Sequence, residues 1–158
     1  MIYILTGDIR TGKTSALLEW CKNRDDVDGL LCPDNAEGKR YFLEIKSKNE
    51  FELETEFETE DIIEIGNFKF LQSGFEKANS YLLCSTLKSK HIIIDELGKL
   101  ELKNEGLHVA AVKLISNYKS DKKQHLILVV RDYLLDAVLK HYAISDYKIL
   151  NKEDLKNL

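Results

Sequence analysis

The segment IYILTGDIRTGKTSALLEW, residues 2–20, decides the fold that this sequence predicts. It opens with a short apolar run, which is typical of a buried strand. GDIRTGKT follows at residues 7–14 and fits the pattern G-x-x-x-x-G-K-[ST]. Apolar side chains at helical spacing come next, so a strand, a glycine loop and a helix stand in the order that surrounds a phosphate with backbone N–H groups. We therefore predict a phosphate-binding loop at residues 7–14.

Each residue type in this loop has a chemical task. The Lys13 amine is predicted to bridge the β- and γ-phosphates of a nucleotide, and the Thr14 hydroxyl is predicted to hold Mg²⁺. The competing interpretation is a glycine turn that contains a lysine by chance, and the flanking strand and helix argue against it. The predicted nucleotide-binding residues are Gly7, Asp8, Ile9, Arg10, Thr11, Gly12, Lys13, Thr14 and Ser15.

A second segment, HIIIDELGKLEL at residues 91–102, carries two adjacent acids directly after an apolar run. Ligands of open α/β sheets bind at the carboxyl ends of the strands. Asp95 at such an end is predicted to bind Mg²⁺, and Glu96 is predicted to polarise an attacking water. Taken alone, the pattern is equally typical of an ordinary strand end. Together with the loop it predicts a metal at the tip of a central strand.

Two further residues of this segment have open interpretations. Lys99 either meets the γ-phosphate or the Glu96 carboxylate, or it is a solvated lysine in a turn. Glu101 is interpreted as an acid at a helix N-terminus, where the helix dipole favours it.

A transition state that spreads negative charge also needs a cation. The candidates are Arg10, Arg40 and Arg131, although each could instead form a surface ion pair. We favour Arg131, because it ends the apolar run LILVV and so lies at the same edge of the sheet as the acids.

Composition bounds the class of protein. The chain has 158 residues, is 44% hydrophobic and 32% charged, and carries a net charge of −4. We therefore predict a single domain over residues 1–158, and no basic surface for nucleic acid or an anionic membrane. The scattered cysteines Cys21, Cys32 and Cys84 form no C-x-x-C pair, which argues against a zinc site or a disulfide framework. The sequence shows neither a signal-peptide pattern nor an apolar run approaching the about 20 residues of a membrane span, so we expect a cytoplasmic protein.

Strand and helix patterns alternate along most of the chain. Several apolar runs lack polar alternation, as strands covered on both faces do, and this favours a mostly parallel α/β core. Helical patterns occur at residues 13–26, 72–87, 106–119 and 132–142, with a short one at 152–158.

The middle third, at about residues 28–71, is rich in strand patterns and is predicted to be an antiparallel insertion or sheet extension. FELETEFETED, residues 51–61, alternates strictly, which predicts one half-buried strand with Phe51, Leu53, Thr55 and Phe57 on its inner face. Its glutamates are interpreted as a solvated edge, the alternative being a metal or a basic partner.

Specific motifs in this chain resemble a known family. DELGKLEL at residues 95–102 is similar to the D-E-I-G-K-M-E-L motif of the small stand-alone P-loop nucleoside-triphosphatases, which are related to nucleotide kinases. FEKA at 75–78, GLLCPD at 29–34 and GKRYF at 38–42 resemble further segments of that family. The likeness therefore covers most of the chain.

The resemblance implies a three-layer αβα P-loop NTPase fold with a mostly parallel central sheet, extended by antiparallel strands from the middle third. It also implies Mg²⁺-dependent hydrolysis of ATP, GTP and other nucleotides. The corresponding site residues are Gly7, Gly12, Lys13 and Thr14 on the phosphates and metal, with Asp95 and Glu96 at the metal and water.

The chain departs from the family pattern at three places. Ile9 and Arg10 stand where the family loop has Pro and Gly, and Ala36 stands where the family has an arginine. A late Asn-Arg pair of the family is Val130-Arg131 here, which keeps only the arginine. These departures imply a changed loop geometry or activity.

Three functions remain open on the sequence. The first is a nucleoside-triphosphate hydrolase with Glu96 as the base. The second is a nucleotide or small-molecule kinase, against which the arginine-free segment 121–124 counts, because kinases of this type close an arginine-rich lid. The third is a nucleotide-dependent switch with little turnover, for which the acidic strand at residues 51–58 would be the partner surface. No protein partner can be named from the sequence.

Overall fold

Strands and helices alternate through the part of the chain that the computed structural model describes, residues 1–58, 61–85, 89–120 and 123–158, without the side chains at 85 and 120. The strands are β1 Ile2–Gly7, β2 Val27–Leu31, β3 Tyr41–Glu44, β4 Glu50–Glu52, β5 Glu54–Thr55, β6 Ile62–Ile65, β7 Phe68–Leu71, β8 His91–Leu97, β9 His125–Arg131 and β10 Tyr147–Leu150. The helices are α1 Lys13–Cys21, α2 Gln72–Ser85, α3 His108–Ser120 and α4 Leu135–His141. Short 3-10 segments lie at Glu101–Lys103, Asp132–Leu134 and Lys152–Asn157.

Seven strands form the main sheet in the order β10-β1-β9-β8-β2-β3-β4. The first five strands of that order are mutually parallel, and β3 and β4 extend the sheet in antiparallel pairing. In the register of β1 with β9, Gly7 pairs with Arg131, and in that of β8 with β9, Asp95 pairs with Val129. Because parallel strands end at one edge, the glycine loop, the two acids and Arg131 are brought together there.

Apolar side chains of the central strands point alternately to the two faces of the sheet. In β8, Ile92 and Ile94 pack against α2 and α3, while Ile93 packs on the other side with Leu17 of α1 and Leu155. All five of these side chains are buried. The sheet is thus covered on both faces, which is why its strands lack polar alternation, and the predicted three layers are present.

The middle third differs in part from the prediction. β2 is parallel to β8, so the antiparallel region begins at β3 rather than near residue 28. The segment 51–61 is not one strand: β4 belongs to the main sheet, whereas β5 belongs to a separate sheet in the order β5-β7-β6. The chain changes sheets at Leu53, which is buried, and Phe57, expected on the inner face, is 76% exposed. Residues 59 and 60 of the predicted strand lie outside the described residues.

Most of the other elements agree with the sequence patterns. The hairpin of β6 and β7 turns at Gly66, whose φ is 57°. α2 is described to Ser85, and the predicted helical residues 86 and 87 lie outside the described residues. Residues 121 and 122 of the arginine-free segment 121–124 also lie outside them. Among the described helices, none is long and apolar enough to cross a membrane.

Candidate active site

The loop at residues 7–14 adopts backbone conformations that favour glycine. Gly7 has a φ of 147°, and Gly12, directly before α1, has a φ of 80°. Residues with a Cβ rarely adopt either value. The loop therefore ends at the N-terminus of a helix, where unpaired backbone N–H groups and the helix dipole favour an anion.

Arg10 also has a left-handed backbone, with a φ of 57°. The resemblance indicated glycine at this place, and a residue with a Cβ costs about 1 kcal/mol more there. The departure at Arg10 therefore puts strain into the loop. Its neighbour Ile9 is 54% exposed and contributes little to the core.

Lys13 is buried beneath the loop, although lysine is rarely buried. Its Nζ donates hydrogen bonds to the carbonyl oxygen of Gly7 at 2.9 Å and to that of Asp8 at 2.6 Å. The Thr11 hydroxyl also accepts from this amine, at 3.4 Å, and donates to the Asp8 carbonyl at 2.9 Å. These contacts hold the ammonium group inside the ring of the loop, within reach of a phosphate bound there.

Asp95 connects the loop to the centre of the sheet. Its carboxylate is buried and accepts a hydrogen bond from the Thr14 hydroxyl at 2.8 Å and from the Cys32 backbone N–H at 3.2 Å. Burial raises the pKa of Asp95 to about 7, against the lowering effect of the Thr14 hydrogen bond. A hydroxyl and a carboxylate so placed are hard oxygen donors of the kind that Mg²⁺ prefers.

Glu96 and Arg131 form an ion pair beside this carboxylate. The Arg131 Nη2 lies 2.6 Å from the Glu96 Oε1, and both side chains are only partly buried. Glu96 is not the end of β8, which continues to Leu97. The pair combines the predicted base and the favoured cation in one unit that faces the loop.

These groups surround a cavity of about 600 Å³. Residues 9–15 of the loop line one part of it, and Asp95, Glu96 and Arg131 line another. Of the predicted binding residues, Gly7 and Asp8 do not line the cavity, but their carbonyl oxygens hold Lys13. The volume is in the range of ligand-binding pockets and is sufficient for a nucleotide.

The structure also places Arg40 and Lys99, whose roles were open. The Arg40 guanidinium carbon lies 5.0 Å from the centre of the Phe68 ring, and Arg40 lines the 600 Å³ cavity. Lys99 is exposed and does not line that cavity; it lines a second, smaller cavity, which Glu96 also lines. Arg40 therefore lies at the cavity that the phosphate loop lines, and Lys99 does not.

Glu101 organises the turn that follows the acids. It is buried and accepts backbone N–H hydrogen bonds from Gly98 at 2.7 Å and from Leu107 at 2.8 Å. Burial raises the pKa of Glu101, while these two hydrogen bonds act in the opposite direction. Glu101 begins a 3-10 segment, which agrees with its interpretation as an acid at a helix N-terminus. Its carboxylate also joins the two ends of the turn, at Gly98 and Leu107.

Three contributions to the site were missed by the sequence analysis. The Lys152 Nζ donates to the Thr11 carbonyl oxygen at 2.6 Å, the Cys32 backbone N–H binds Asp95, and Glu54 lines the large cavity. The first depends on β10 lying beside β1, which no local pattern reveals. The second involves a backbone group, which carries no sequence signal at all.

A metal at this site would have few protein ligands. The described residues contain no group of three or more His, Cys, Asp or Glu side chains able to hold a metal ion. The Thr14 hydroxyl and the Asp95 carboxylate fit a Mg²⁺ ion whose other ligands are water and phosphate oxygens, as Mg²⁺ bound with a nucleotide usually has.

Comparisons with known proteins agree with this fold. A family model described as NTPase matches residues 2–155. The crystal structure of THEP1 from the hyperthermophile Aquifex aeolicus superimposes with a TM-score of 0.74 at 16% identity, covering 99% of this chain and 96% of that one. The solution structure of a human cancer-related nucleoside triphosphatase superimposes with a TM-score of 0.67 at 17% identity, covering 99% and 93%. No curated protein sequence matches the chain significantly. The predicted fold is thereby confirmed.

Proposed function

Because the chain belongs to the NTPase family, we propose that it is a Mg²⁺-dependent hydrolase that converts ATP or GTP to the diphosphate and phosphate. The observation that carries this proposal is the hydrogen bond of 2.8 Å between Thr14 and Asp95, which lie far apart in the chain. It joins the phosphate loop to the acids at one cavity. Family membership supports nucleoside-triphosphatase activity in general, and the roles of single residues below are proposals.

The loop binds the triphosphate. Backbone N–H groups at the start of α1 and the Lys13 ammonium face the β- and γ-phosphates. Their positive charge offsets the negative charge of the phosphate oxygens. Lys13 exchanges its carbonyl partners Gly7 and Asp8 for phosphate oxygens, which are stronger acceptors because they are charged.

Thr14 and Asp95 would hold the metal. A Mg²⁺ ion held by these two oxygen atoms would supply positive charge to the transferred phosphate. The 2.8 Å contact between Thr14 and Asp95 supports this proposal, because two oxygen donors already lie side by side.

Glu96 activates the attacking water, and Arg131 positions Glu96. The ion pair of 2.6 Å fixes one carboxylate oxygen, leaving the other to accept a proton from water. The Arg131 guanidinium, at the rim of the same cavity, is also placed to interact with charge that develops on the γ-phosphate.

Substitution of Glu96 by Gln tests the role of the base. Gln keeps a hydrogen bond to Arg131 but cannot take a proton, so the hydrolysis rate constant is expected to fall about 100-fold or more with little change in nucleotide affinity. Phosphate release in single-turnover experiments and nucleotide binding by calorimetry measure the two quantities. Hydrolysis by Glu96→Gln at the wild-type rate would show that Glu96 is not the base.

The alternatives have unequal structural support. The switch alternative relied on a continuous acidic strand at residues 51–58, but the chain changes sheets within it and Glu54 accepts a hydrogen bond from the Arg40 backbone N–H at 3.2 Å. The kinase alternative is favoured by a specific observation, the second cavity. The cytoplasmic location inferred from the sequence stays a prediction.

A further inference from the structure

A second cavity, of about 250 Å³, adjoins the nucleotide cavity at the end where the acids lie. The two cavities share the lining residues Cys32, Arg40, Phe68, Asp95, Glu96 and Arg131. A molecule in the second cavity would therefore contact the same carboxylate that faces an attacking nucleophile.

The walls of the second cavity are mainly apolar and aromatic. Phe75 packs edge to face on Phe42, with ring centroids 5.7 Å apart, and on Phe70, with centroids 6.2 Å apart. Leu100 and Leu107 add aliphatic surface. Water needs no such chamber to attack a phosphate, whereas the binding of an organic molecule buries its apolar surface in one.

Strands outside the phosphate loop and the acid pair supply much of this wall. Leu53 lies where the chain changes sheets, and Ile65, Phe68 and Phe70 belong to the hairpin of β6 and β7. The small second sheet also lines the nucleotide cavity, through Glu54 and Phe68. Ile65 and Phe70 line only the second cavity, and we take their position to enclose a second ligand.

The second cavity is separate from the phosphate loop, because none of residues 7–15 lines it. In a phosphate loop the lysine reaches the β- and γ-phosphates, and the residue that orients the nucleophile faces the γ-phosphate. Glu96, which we propose for that second role, lines both cavities. A ligand in the second cavity would therefore lie next to the residue that orients the nucleophile, as transfer to an acceptor requires.

Among the described residues, the charges around the second cavity are balanced. Its cationic side chains are Arg40, Lys99 and Arg131, and its acidic side chains are Asp95, Glu96 and Glu101. Arg131 is paired with Glu96, and Glu101 is engaged by backbone N–H groups. A net charge near zero favours a neutral ligand over one that already carries a phosphate.

We propose that the second cavity binds a neutral alcohol with a planar aromatic body, about as large as a nucleoside, and that the protein transfers the γ-phosphoryl group to it. This rests on the proposed nucleotide site. The bond between the γ-phosphorus and the β–γ bridging oxygen breaks, a bond from the γ-phosphorus to the alcohol oxygen forms, and the hydroxyl proton passes to the Glu96 carboxylate. The diphosphate leaves with the bridging oxygen, and hydrolysis is the same step with water as nucleophile.

A product assay on the wild-type protein tests the proposal. The protein is incubated with ATP and Mg²⁺, alone and with adenosine, guanosine, cytidine or thymidine, and then with the corresponding monophosphates. Chromatography and ³¹P NMR separate inorganic phosphate from phosphorylated nucleoside. We expect at least one nucleoside to become a nucleoside monophosphate, with inorganic phosphate falling by the same amount.

A cavity-filling variant locates the acceptor. Ile65 lines the second cavity but not the nucleotide cavity, so Ile65→Trp is expected to lower the ratio of phosphorylated nucleoside to inorganic phosphate about tenfold. Val112→Trp, on an exposed position of α3, is the matched control and should leave the ratio unchanged. Thermal unfolding of both variants checks that each is folded.

The outcomes are separable. ATP hydrolysis without phosphorylation of any nucleoside would overturn the acceptor proposal and leave the hydrolase proposal standing. Transfer to monophosphates but not to nucleosides would overturn the neutral-ligand argument. A folded wild-type protein that turns over no ATP under any condition would overturn both proposals. If Ile65→Trp does not fold, the wild-type assay alone decides.

Discussion

His91 is a buried imidazole at the start of β8, on the edge of the sheet opposite the active site. Its Nδ1 lies 3.2 Å from a ring nitrogen of His125, and its Nε2 lies 3.3 Å from the Arg24 Nη2 and 3.6 Å from an Asp26 oxygen. Burial, the neighbouring His125 and the cation of Arg24 lower the pKa of His91 to about 4, although Asp26 acts in the opposite direction. The folded protein therefore holds this ring neutral.

This group makes stability depend on pH. The unfolded chain binds a proton at His91 below about pH 6.5, whereas the folded chain does so only near pH 4. The contribution of neutral His91 to the free energy of unfolding is therefore fully present above pH 6.5 and decreases as the pH falls toward 4. Between pH 7 and pH 5, the free energy of unfolding should fall by about 1–2 kcal/mol more in the wild type than in His91→Gln. Urea unfolding at the two pH values measures this difference. Equal losses in the two proteins would show that His91 is not the responsible group.

Residues of the candidate site could be grouped from the sequence where the chemistry limits the residue type. Lys13, Thr14 and Asp95 were grouped because a phosphate and a metal accept few substitutes, and the structure brings them to one cavity. Their roles stay predictions. Lys152 could not be found, because its contact with the loop depends on which strand lies beside β1. Lys99 could not be placed, because the path of the turn after β8 decides which cavity its long side chain reaches.

At the scale of elements, α4 ends in a conformation that its sequence does not favour. Ala143 follows this helix with a φ of 49° and is exposed, and its N–H donates to the Lys140 carbonyl oxygen at 3.2 Å. Helices commonly end with glycine in this left-handed conformation, because glycine has no Cβ to strain.

Replacing Ala143 by Gly should therefore stabilise the protein. We expect the free energy of unfolding to rise by about 0.5–1 kcal/mol in Ala143→Gly. The same change at the exposed Ala137, inside α4, should lower it by about 1 kcal/mol, because glycine disfavours a helix interior. Chemical denaturation measures both. Destabilisation of similar size at the two positions would contradict the left-handed conformation of residue 143.

The turn between the acids and α3 depends on one buried carboxylate. Both oxygens of Glu101 are used, one for the Gly98 N–H and one for the Leu107 N–H. In Glu101→Gln an amide NH₂ must face one of these donors, leaving a buried N–H without its partner. The free energy of unfolding should fall by about 1–3 kcal/mol, as measured in urea. Glu105→Gln, at an exposed neighbouring position, is the control and should change stability little; an equally small change at Glu101 would contradict its structural role.

Strands that are buried along their whole length were predictable from the sequence. The point at which the chain leaves one sheet for another was not. The central strands β1, β8 and β9 were recognised from uninterrupted apolar runs. The alternation at residues 51–61 has the period of a strand, but alternation says only that two faces differ. It cannot show that β4 and β5 belong to different sheets, a choice made by packing of Leu53 and by pairing with distant strands.

At the scale of the whole molecule, the parallel sheet brings the candidate site to one edge. Five strands end at that edge: the glycine loop follows β1, the two acids lie at the end of β8, and Arg131 ends β9. The fold class could be predicted because strand–loop–helix order and chain length leave few arrangements open. The second cavity could not be predicted, because it is formed between two sheets whose relative placement is set by long-range contacts.

The most direct test of the account measures the products that form from ATP and GTP in the presence of Mg²⁺. The proteins compared are the wild type, Lys13→Ala and the control Lys22→Ala. Lys22 lies at the other end of α1, and its side chain is 67% exposed. The account predicts diphosphate and phosphate in equal amounts from the wild type and Lys22→Ala. It predicts a rate about 100-fold or more lower in folded Lys13→Ala, because the charge on the γ-phosphate then lacks its buried ammonium partner. Turnover by Lys13→Ala at the wild-type rate would contradict the assignment of the phosphate site.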